Sequence, residues 1–131
     1  MTERLPVIPP GSEFQYEKLH FAPALRVGDT LHVSGVIGTN PDGSCSDDPA
    51  TQFKQAFEGL AAVMEAAGGT LADIVEMTTF HVGLQANMRT FIQVMKQHVV
   101  AEPWPAWTAI GITELAIPGG MVEIRATADL G

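Results

Sequence analysis

The chain of 131 residues has the length of one domain built around one core. Hydrophobic residues make up 46% and charged residues 17%, and since charged residues average about 25% in soluble domains, contacts between subunits are expected to cover part of the surface. The net charge of −8 and the scatter of the seven basic residues leave no patch for phosphates, which excludes nucleic acid and anionic membranes as expected partners.

The first half of the chain predicts an arm, a hairpin and a helix. Residues 1–18 contain three prolines and a glycine, which is typical of an extended N-terminal arm. Residues 22–38 alternate in polarity around a Gly-Asp turn and predict two antiparallel strands. Asp48 before Pro49 is a typical helix start, and the apolar spacing that follows predicts a helix over residues 49–67, ended by Gly68 and Gly69.

The second half predicts a strand, a helix and two further strands. Residues 74–83 are rich in β-branched and aromatic side chains, with Val75 assigned to the same face as Met77 and His81. Asn87 is expected to cap a second helix that closes before Pro103. Strands follow over 106–115 and 121–130.

These elements predict one α+β domain over residues 1–131, with the order β-β-α-β-α-β-β. The expected architecture is one mixed sheet with two helices on one face. No window holds the roughly 18 apolar residues of a membrane span, and the N-terminus lacks the pattern of a secretory signal, so a cytoplasmic protein is expected.

Few residues of the sequence belong to a recognisable catalytic or metal-binding motif. The four histidines show no metal-ligand spacing, and phosphate-binding or hydrolase motifs are absent from the sequence, so neither a metal nor another cofactor is expected. Cys45, the single cysteine, lies in an acidic loop and is expected to be an inert thiol. His81, where a strand ends, is interpreted as a half-buried structural histidine rather than a site residue. Glu123 and Arg125 lie on one strand face about 7 Å apart, either as a surface ion pair or as site residues.

Three segments together carry a resemblance to a known family. They read LRVGDTLHVSGVIG, QAFEGLAAVMEAAGGTLADIVEMTTF and PAWTAIGITELAIPGGMVEIRATA, and they follow one another in order between about residues 19 and 128. This pattern resembles the RidA/YjgF family of reactive-intermediate deaminases, also called endoribonuclease L-PSP. The resemblance implies a chorismate-mutase-like α+β fold, a homotrimer, and a small-molecule pocket in each cleft between neighbouring subunits.

The resemblance also implies which residues line that pocket. Ser34, Gly35 and Glu123 match the family pattern. Deaminating members carry an arginine in the motif P-A-R-[ST] that holds the substrate carboxylate, but this chain has Trp107, followed by Thr108. Two further pocket positions depart from the deaminases: Phe21 stands where they carry a tyrosine, and Ile92 where they carry an asparagine. In this respect the chain is similar to the YjgH-like branch of the family. Arg125 is added to the expected pocket because it shares a strand face with Glu123 and could bind an anionic ligand.

Two functions remain open on this basis. The first is hydrolysis of an imine, an enamine or a related small metabolite, with Glu123 positioning water and Trp107 and Phe21 forming an apolar wall. The alternative is a non-catalytic trimeric protein that binds or senses a ligand, while ribonuclease activity ranks last because of the acidic charge. Trp107 has two open interpretations, pocket lining and packing in the subunit interface.

Overall fold

The computed structural model describes residues 2–131 as a six-stranded mixed sheet with two long helices on one face. The spatial order of the strands is β1-β2-β3-β6-β4-β5, and all neighbours are antiparallel except β4 and β5. The elements in chain order are β1 (Arg4–Val7), α1 (Glu13–Glu17), β2 (Ala24–Val27), β3 (Thr30–Ile37), α2 (Pro49–Ala66), a 3-10 turn (Leu71–Asp73), β4 (Ile74–His81), α3 (Leu84–His98), β5 (Ala106–Gly111) and β6 (Val122–Asp129).

The predicted hairpin is confirmed as β2 and β3. Gly28 has a φ of 61°, which glycine adopts without strain, and it forms the tight turn with Asp29. Leu31 and Val33 are buried while His32 between them is exposed, as the alternation predicts. The two strands pair only from Ala24–Val27 to Thr30–Val33, so the outer edge of β3 beyond Val33 has no strand beside it.

The first long helix is also confirmed. The Thr51 N–H donates to the carboxylate of Asp48 over 3.0 Å, and Pro49 occupies the first turn, where its missing N–H costs nothing. Gly68 follows the helix with a φ of 84°, the left-handed conformation that ends many helices. The helix covers the sheet with a stripe of buried side chains that includes Phe53, Phe57 and Leu60.

The predictions for β4 and the start of α3 need correction. The pairing of β4 with β6 shifts between Ile74 and Glu76, so Ile74 turns into the core and Val75 is 49% exposed, the reverse of the prediction. Asn87 does not cap the second helix. Gly83 holds the N-cap position with a φ of 77°, so the helix begins three residues before Asn87.

The N-terminal arm is not merely extended, which corrects the predicted element order. Residues 4–7 form β1 against β2, and residues 13–17 form the short helix α1. Pro6 lies within β1, which is an edge strand, where a proline is tolerated, while α1 begins after Pro9 and Pro10. The strand β1 exists because β2 presents an unpaired edge. The described chain therefore begins β-α-β-β rather than β-β.

The two faces of the sheet differ in what covers them. Along β6, residues 122, 124, 126 and 128 are buried under the helices, where Phe91 of α3 packs edge-on to Phe53 at a ring distance of 5.4 Å. The alternate residues of β6 are half-buried or exposed and point to the other face, away from the core under α2 and α3. Within residues 2–131, no helix is long and apolar enough to cross a bilayer.

Candidate functional site

A β-bulge in β3 shapes the candidate site. Val33 pairs with Ala126 and Val36 with Ile124, so Ser34 and Gly35 together stand opposite the single residue Arg125. A bulge of this kind bends a strand and redirects side chains, and bulges are common beside active sites.

The side chain of Glu123 lies across Gly35. A Cβ atom built at Gly35 would overlap the carboxyl carbon of Glu123 and stand 2.7 Å from its Oε2 atom. Real Cβ atoms do not approach other atoms so closely, and therefore only glycine at position 35 allows the carboxylate to occupy this place.

This carboxylate faces a cleft of about 410 Å³, called here the Glu123 cleft. The cleft follows the free edge of β3 and is closed by the segment after α1, by α2 and by the loop before β6. Apolar side chains form most of the wall, and Glu123 is the single charged group among the described residues that line it. The lining residues are Ser12, Gln15, Leu19, Phe21, Pro23, Ser34, Gly35, Val36, Ile37, Thr39, Gly59, Val63, Ala116, Ile117 and Glu123.

Ser34 fastens the entrance segment to the bulge. Its hydroxyl donates to the carbonyl of Ala22 over 2.6 Å, and its N–H donates to the carbonyl of Pro23 over 2.9 Å. These two bonds hold the chain beside Phe21, whose side chain is 41% exposed in the cleft wall. The hydroxyl proton of Ser34 is thus engaged, and its oxygen can still accept a hydrogen bond from a ligand.

Trp107 lies elsewhere in the protomer. It pairs with Met77 in β4 and packs toward the helices, with its ring centroid 5.7 Å from that of Phe91. Its indole N–H donates to the hydroxyl of Thr79 over 2.9 Å. It lines a separate cavity of about 320 Å³, called here the tryptophan cavity, together with Met77, Met95, Lys96, Val99, Trp104 and Pro105.

Three other predicted pocket residues also lie outside the Glu123 cleft. Ile92 is half-buried on α3 and lines neither cavity. Thr108 and Arg125 are exposed on the face of the sheet turned away from α2 and α3, where both stand beside Thr78 in the strand register. Within one protomer the structure therefore gathers Phe21, Ser34, Gly35 and Glu123, and it separates them from the other four.

Glu123 and Arg125 share a face as predicted, but they do not form an ion pair. Among the described residues, the one charged pair within 4.0 Å joins Arg26 to Asp29 over 3.6 Å. Among residues 2–131 of its own protomer, the carboxylate of Glu123 therefore has no cationic partner within 4.0 Å.

The chain is similar in sequence and in fold to proteins of a known family. Residues 16–130 match the family described as Endoribonuclease L-PSP. The chain belongs to this RidA/YjgF family. It is 38% identical over 128 residues to the RutC family protein YjgH of Escherichia coli strain K12, which covers 98% of this chain and 96% of that protein. A solved structure of protein YjgH superposes with a TM-score of 0.88 at 37% identity, covering 98% of this chain and 97% of that one.

A deaminase is also among the relatives. The chain is 30% identical over 97 residues to the 2-iminobutanoate/2-iminopropanoate deaminase of Dermatophagoides farinae, across 72% of this chain and 74% of that protein. The match to the YjgH structure confirms the predicted α+β fold of the chorismate-mutase-like type.

The sequence reasoning missed part of the RidA/YjgF cleft wall. Gly59 lies inside α2, where glycine is unfavourable, and a Cβ there would stand 2.9 Å from Cγ1 of Val36. A glycine within an otherwise regular helix was the available signal of this close approach. The apolar wall from Ala116 and Ile117 had no such signal, because loop residues are placed by the fold.

The remaining reactive groups lie outside the cleft. Burial raises the pKa of the Cys45 thiol, which favours the uncharged and unreactive form. Within residues 2–131, no group of three or more His, Cys, Asp and Glu side chains is arranged to hold a metal ion.

The contacts of Trp107 predict that this position is intolerant of charge. Trp107→Arg removes the indole bond to Thr79 and places a guanidinium beside Phe91, so the free energy of unfolding should fall by about 3–5 kcal/mol. Trp104→Arg is the matched control, because Trp104 is 58% exposed, and its cost should stay within about 1 kcal/mol. Urea denaturation of both variants measures the difference. Equal stability of the two would show that Trp107 is not a packing residue.

Proposed function

We propose that this RidA/YjgF member hydrolyses a small imine or enamine without a carboxylate, and that Glu123 positions the attacking water. The observation that carries the proposal is the place of the Glu123 carboxylate over Gly35, facing a mostly apolar cleft of about 410 Å³. The deaminase among the relatives supports the reaction class, since its name describes the loss of nitrogen from 2-imino acids.

The charge of the cleft supports a neutral or cationic substrate. Glu123 is the single charged lining residue among those described, and an anion would therefore meet a like charge with no compensating cation. A protonated imine carries a positive charge on nitrogen, which a nearby carboxylate stabilises. The apolar wall adds to this selection, because it holds an uncharged substituent better than a polar one.

The proposed reaction needs one proton carrier and one water. The carboxylate of Glu123 accepts a proton from water while the water oxygen bonds to the C=N carbon, whose π pair moves to nitrogen. Because solvent has already protonated the imine nitrogen, this addition gives a neutral carbinolamine, whose nitrogen then takes the proton held by Glu123. The C–N bond breaks with its electron pair going to nitrogen, an oxygen lone pair forms the carbonyl, and the hydroxyl proton returns to solvent in place of the one that protonated the imine. The sum is one imine and one water converted to one carbonyl compound and one amine.

Trp107 supports the exclusion of carboxylate substrates. The deaminase pattern has an arginine at this place in the motif, and a guanidinium binds a carboxylate through two charge-assisted hydrogen bonds. Trp107 instead donates its single N–H to the hydroxyl of Thr79, over 2.9 Å, and its side chain carries no charge.

The second candidate function is ligand binding without catalysis. It is favoured by one observation, that the described cleft wall offers a single titratable group and no second acid to protonate the departing nitrogen. The two candidates differ in turnover and share the same cleft, so the variants below distinguish them.

Replacing Glu123 tests catalysis directly. Glu123→Gln keeps the shape of the side chain but removes the base, and kcat for hydrolysis of N-benzylidenemethylamine should fall by about 10²- to 10⁴-fold. The loss of the imine absorbance measures the rate. Glu65→Gln is the matched control, because Glu65 is an exposed glutamate on α2 outside the cleft, and it should keep full activity.

Undiminished turnover in Glu123→Gln would contradict the assigned role of Glu123. Absence of turnover in the unmodified chain, together with saturable binding of the imine that Glu123→Gln weakens, would favour the binding function.

A carboxylate on the substrate should weaken the reaction. Without a guanidinium, kcat/KM for 2-iminobutanoate is expected to be about 10²- to 10⁴-fold below that of an arginine-bearing family deaminase. Semicarbazide trapping of the competing imine, with an amino acid oxidase as the source, provides the measurement. Turnover equal to the arginine-bearing enzyme would show that another cation, such as Arg125, holds the carboxylate.

We also propose that the chain works as a homotrimer, with ligand clefts completed between subunits. The support is the sheet face turned away from α2 and α3, which includes Ile110 at 40% exposure and half-buried Phe80. Sedimentation velocity at micromolar concentration should give about three times the 14.0 kDa chain mass. A persistent monomer would contradict the proposal.

A further inference from the structure

A surface depression of about 580 Å³ lies at the ends of the two parallel strands, β4 and β5. It is bounded by the N-cap and first turn of α3 (residues 83–86), by residues 111–113 at the end of β5, and by His81 at the last position of β4. It shares no lining residue with the Glu123 cleft. Ligands often bind where parallel strands end, because helix N-termini and loops meet there.

The first turn of α3 supplies unpaired donors to this depression. The first N–H groups of a helix have no acceptor within the helix. Gly83 at the N-cap has no side chain that could accept from them, and no side-chain cap is present. Leu84, Gln85 and Ala86, which carry these N–H groups, all line the depression.

His81 adds a buried donor that lacks a partner. The side chain is 1% exposed, and its Nε2 atom lies 2.7 Å from the hydroxyl of Thr79. That hydroxyl already accepts the indole N–H of Trp107, so its own proton is free to go to Nε2. The Thr79 oxygen could also accept from Nε2–H, and the ligand contact proposed below requires the arrangement in which Thr79 donates to Nε2 and the imidazole proton sits on Nδ1. The Nδ1 atom is buried without a hydrogen-bond partner.

The unpaired Nδ1–H is costly unless something accepts it. A buried donor without a partner destabilises the fold by about 1–3 kcal/mol, so such groups usually serve a ligand or an ordered water. Burial lowers the pKa of His81, which keeps the ring neutral at physiological pH and preserves the single Nδ1 proton.

We infer that the depression binds the carboxylate group of a small acid, with the Nδ1–H of His81 and the first N–H groups of α3 as donors. The described lining residues include no acidic side chain that would repel an anion and no lysine or arginine that a dianion would need. The partial positive charge of a helix N-terminus, about half a unit charge, matches a single negative charge. The site is therefore assigned to a monoanion rather than a phosphate.

Acetate is a sufficient probe for this site. In the ¹⁵N-labelled chain, titration with sodium acetate at an ionic strength held constant by NaCl should shift the amide signals of Leu84, Gln85 and Ala86 and the ring Nδ1 signal of His81 together, along one saturable curve. Phosphate should shift the same signals less at equal concentration. No saturable shift would mean that ordered water alone satisfies His81, which overturns the inference, as would tighter binding of phosphate.

A variant separates the role of His81 from the helix terminus. His81→Phe retains the size of the buried ring but removes the donor, and it should weaken acetate binding by about tenfold or more. His32→Phe, at an exposed position on β3, is the matched control and should bind acetate like the unmodified chain. Equal affinity in His81→Phe would overturn the assignment. If this variant does not fold, the titration of the unmodified chain tests the role of His81. The acetate dependence of the ring Nδ1 signal must then follow the same curve as the amide signals of α3, and a ring signal that does not move would overturn the assignment.

Discussion

The contact between Glu123 and Gly35 is the constraint on which the candidate site depends. The carboxylate can lie across β3 because residue 35 has no side chain, and the bulge at Ser34 and Gly35 is what brings this glycine opposite β6. Ser34 then fixes the entrance segment through the carbonyls of Ala22 and Pro23. The β-bulge in β3 thereby forms the floor of the cleft, leaves room for the Glu123 carboxylate, and holds the entrance segment that forms one wall.

The alternation of β6 separates the residues of the core from the residues of the candidate site. Val122 and Ile124 anchor the core under α2 and α3, whereas Glu123 between them points to the other side of the strand. The same division holds on the neighbouring strands. Thr79, His81 and Trp107 form a hydrogen-bonded chain on the helix side, so the large aromatic side chain of Trp107 stabilises the packing around Phe91.

Much of this fold was predictable because local signals agreed with tertiary packing. The Asp48–Pro49 start and the Gly68 stop bound α2 to within a residue, and the Gly-Asp turn set the first hairpin. The errors have a common physical origin. The strand β1 forms only because β2 offers an edge, and the shift at Ile74 depends on pairing with β6, neither of which is encoded by local periodicity.

The candidate site was predictable to a similar degree. Ser34, Gly35 and Glu123 lie in one cleft, as the sequence motifs predicted, because the pairing of β3 with β6 fixes their relative positions. The side toward which Trp107 turns was not predictable, because AWTAIG at a sheet edge has one large apolar residue on each face, Trp107 and Ile110, and no clear polar face. The pair of Thr79 and His81, two residues apart on one strand face, was visible in the sequence, but its link to Trp107 required the register of β4 and β5.

The most direct test of the Glu123 cleft is a crystal structure of the chain grown with benzaldoxime, an unreactive compound that retains the C=N bond. The proposed function predicts electron density for the ligand in the cleft, with its C=N carbon beside the Glu123 carboxylate and its ring against the apolar wall that includes Phe21 and Val36. Density confined to the tryptophan cavity, or an empty Glu123 cleft at a saturating ligand concentration, would contradict it.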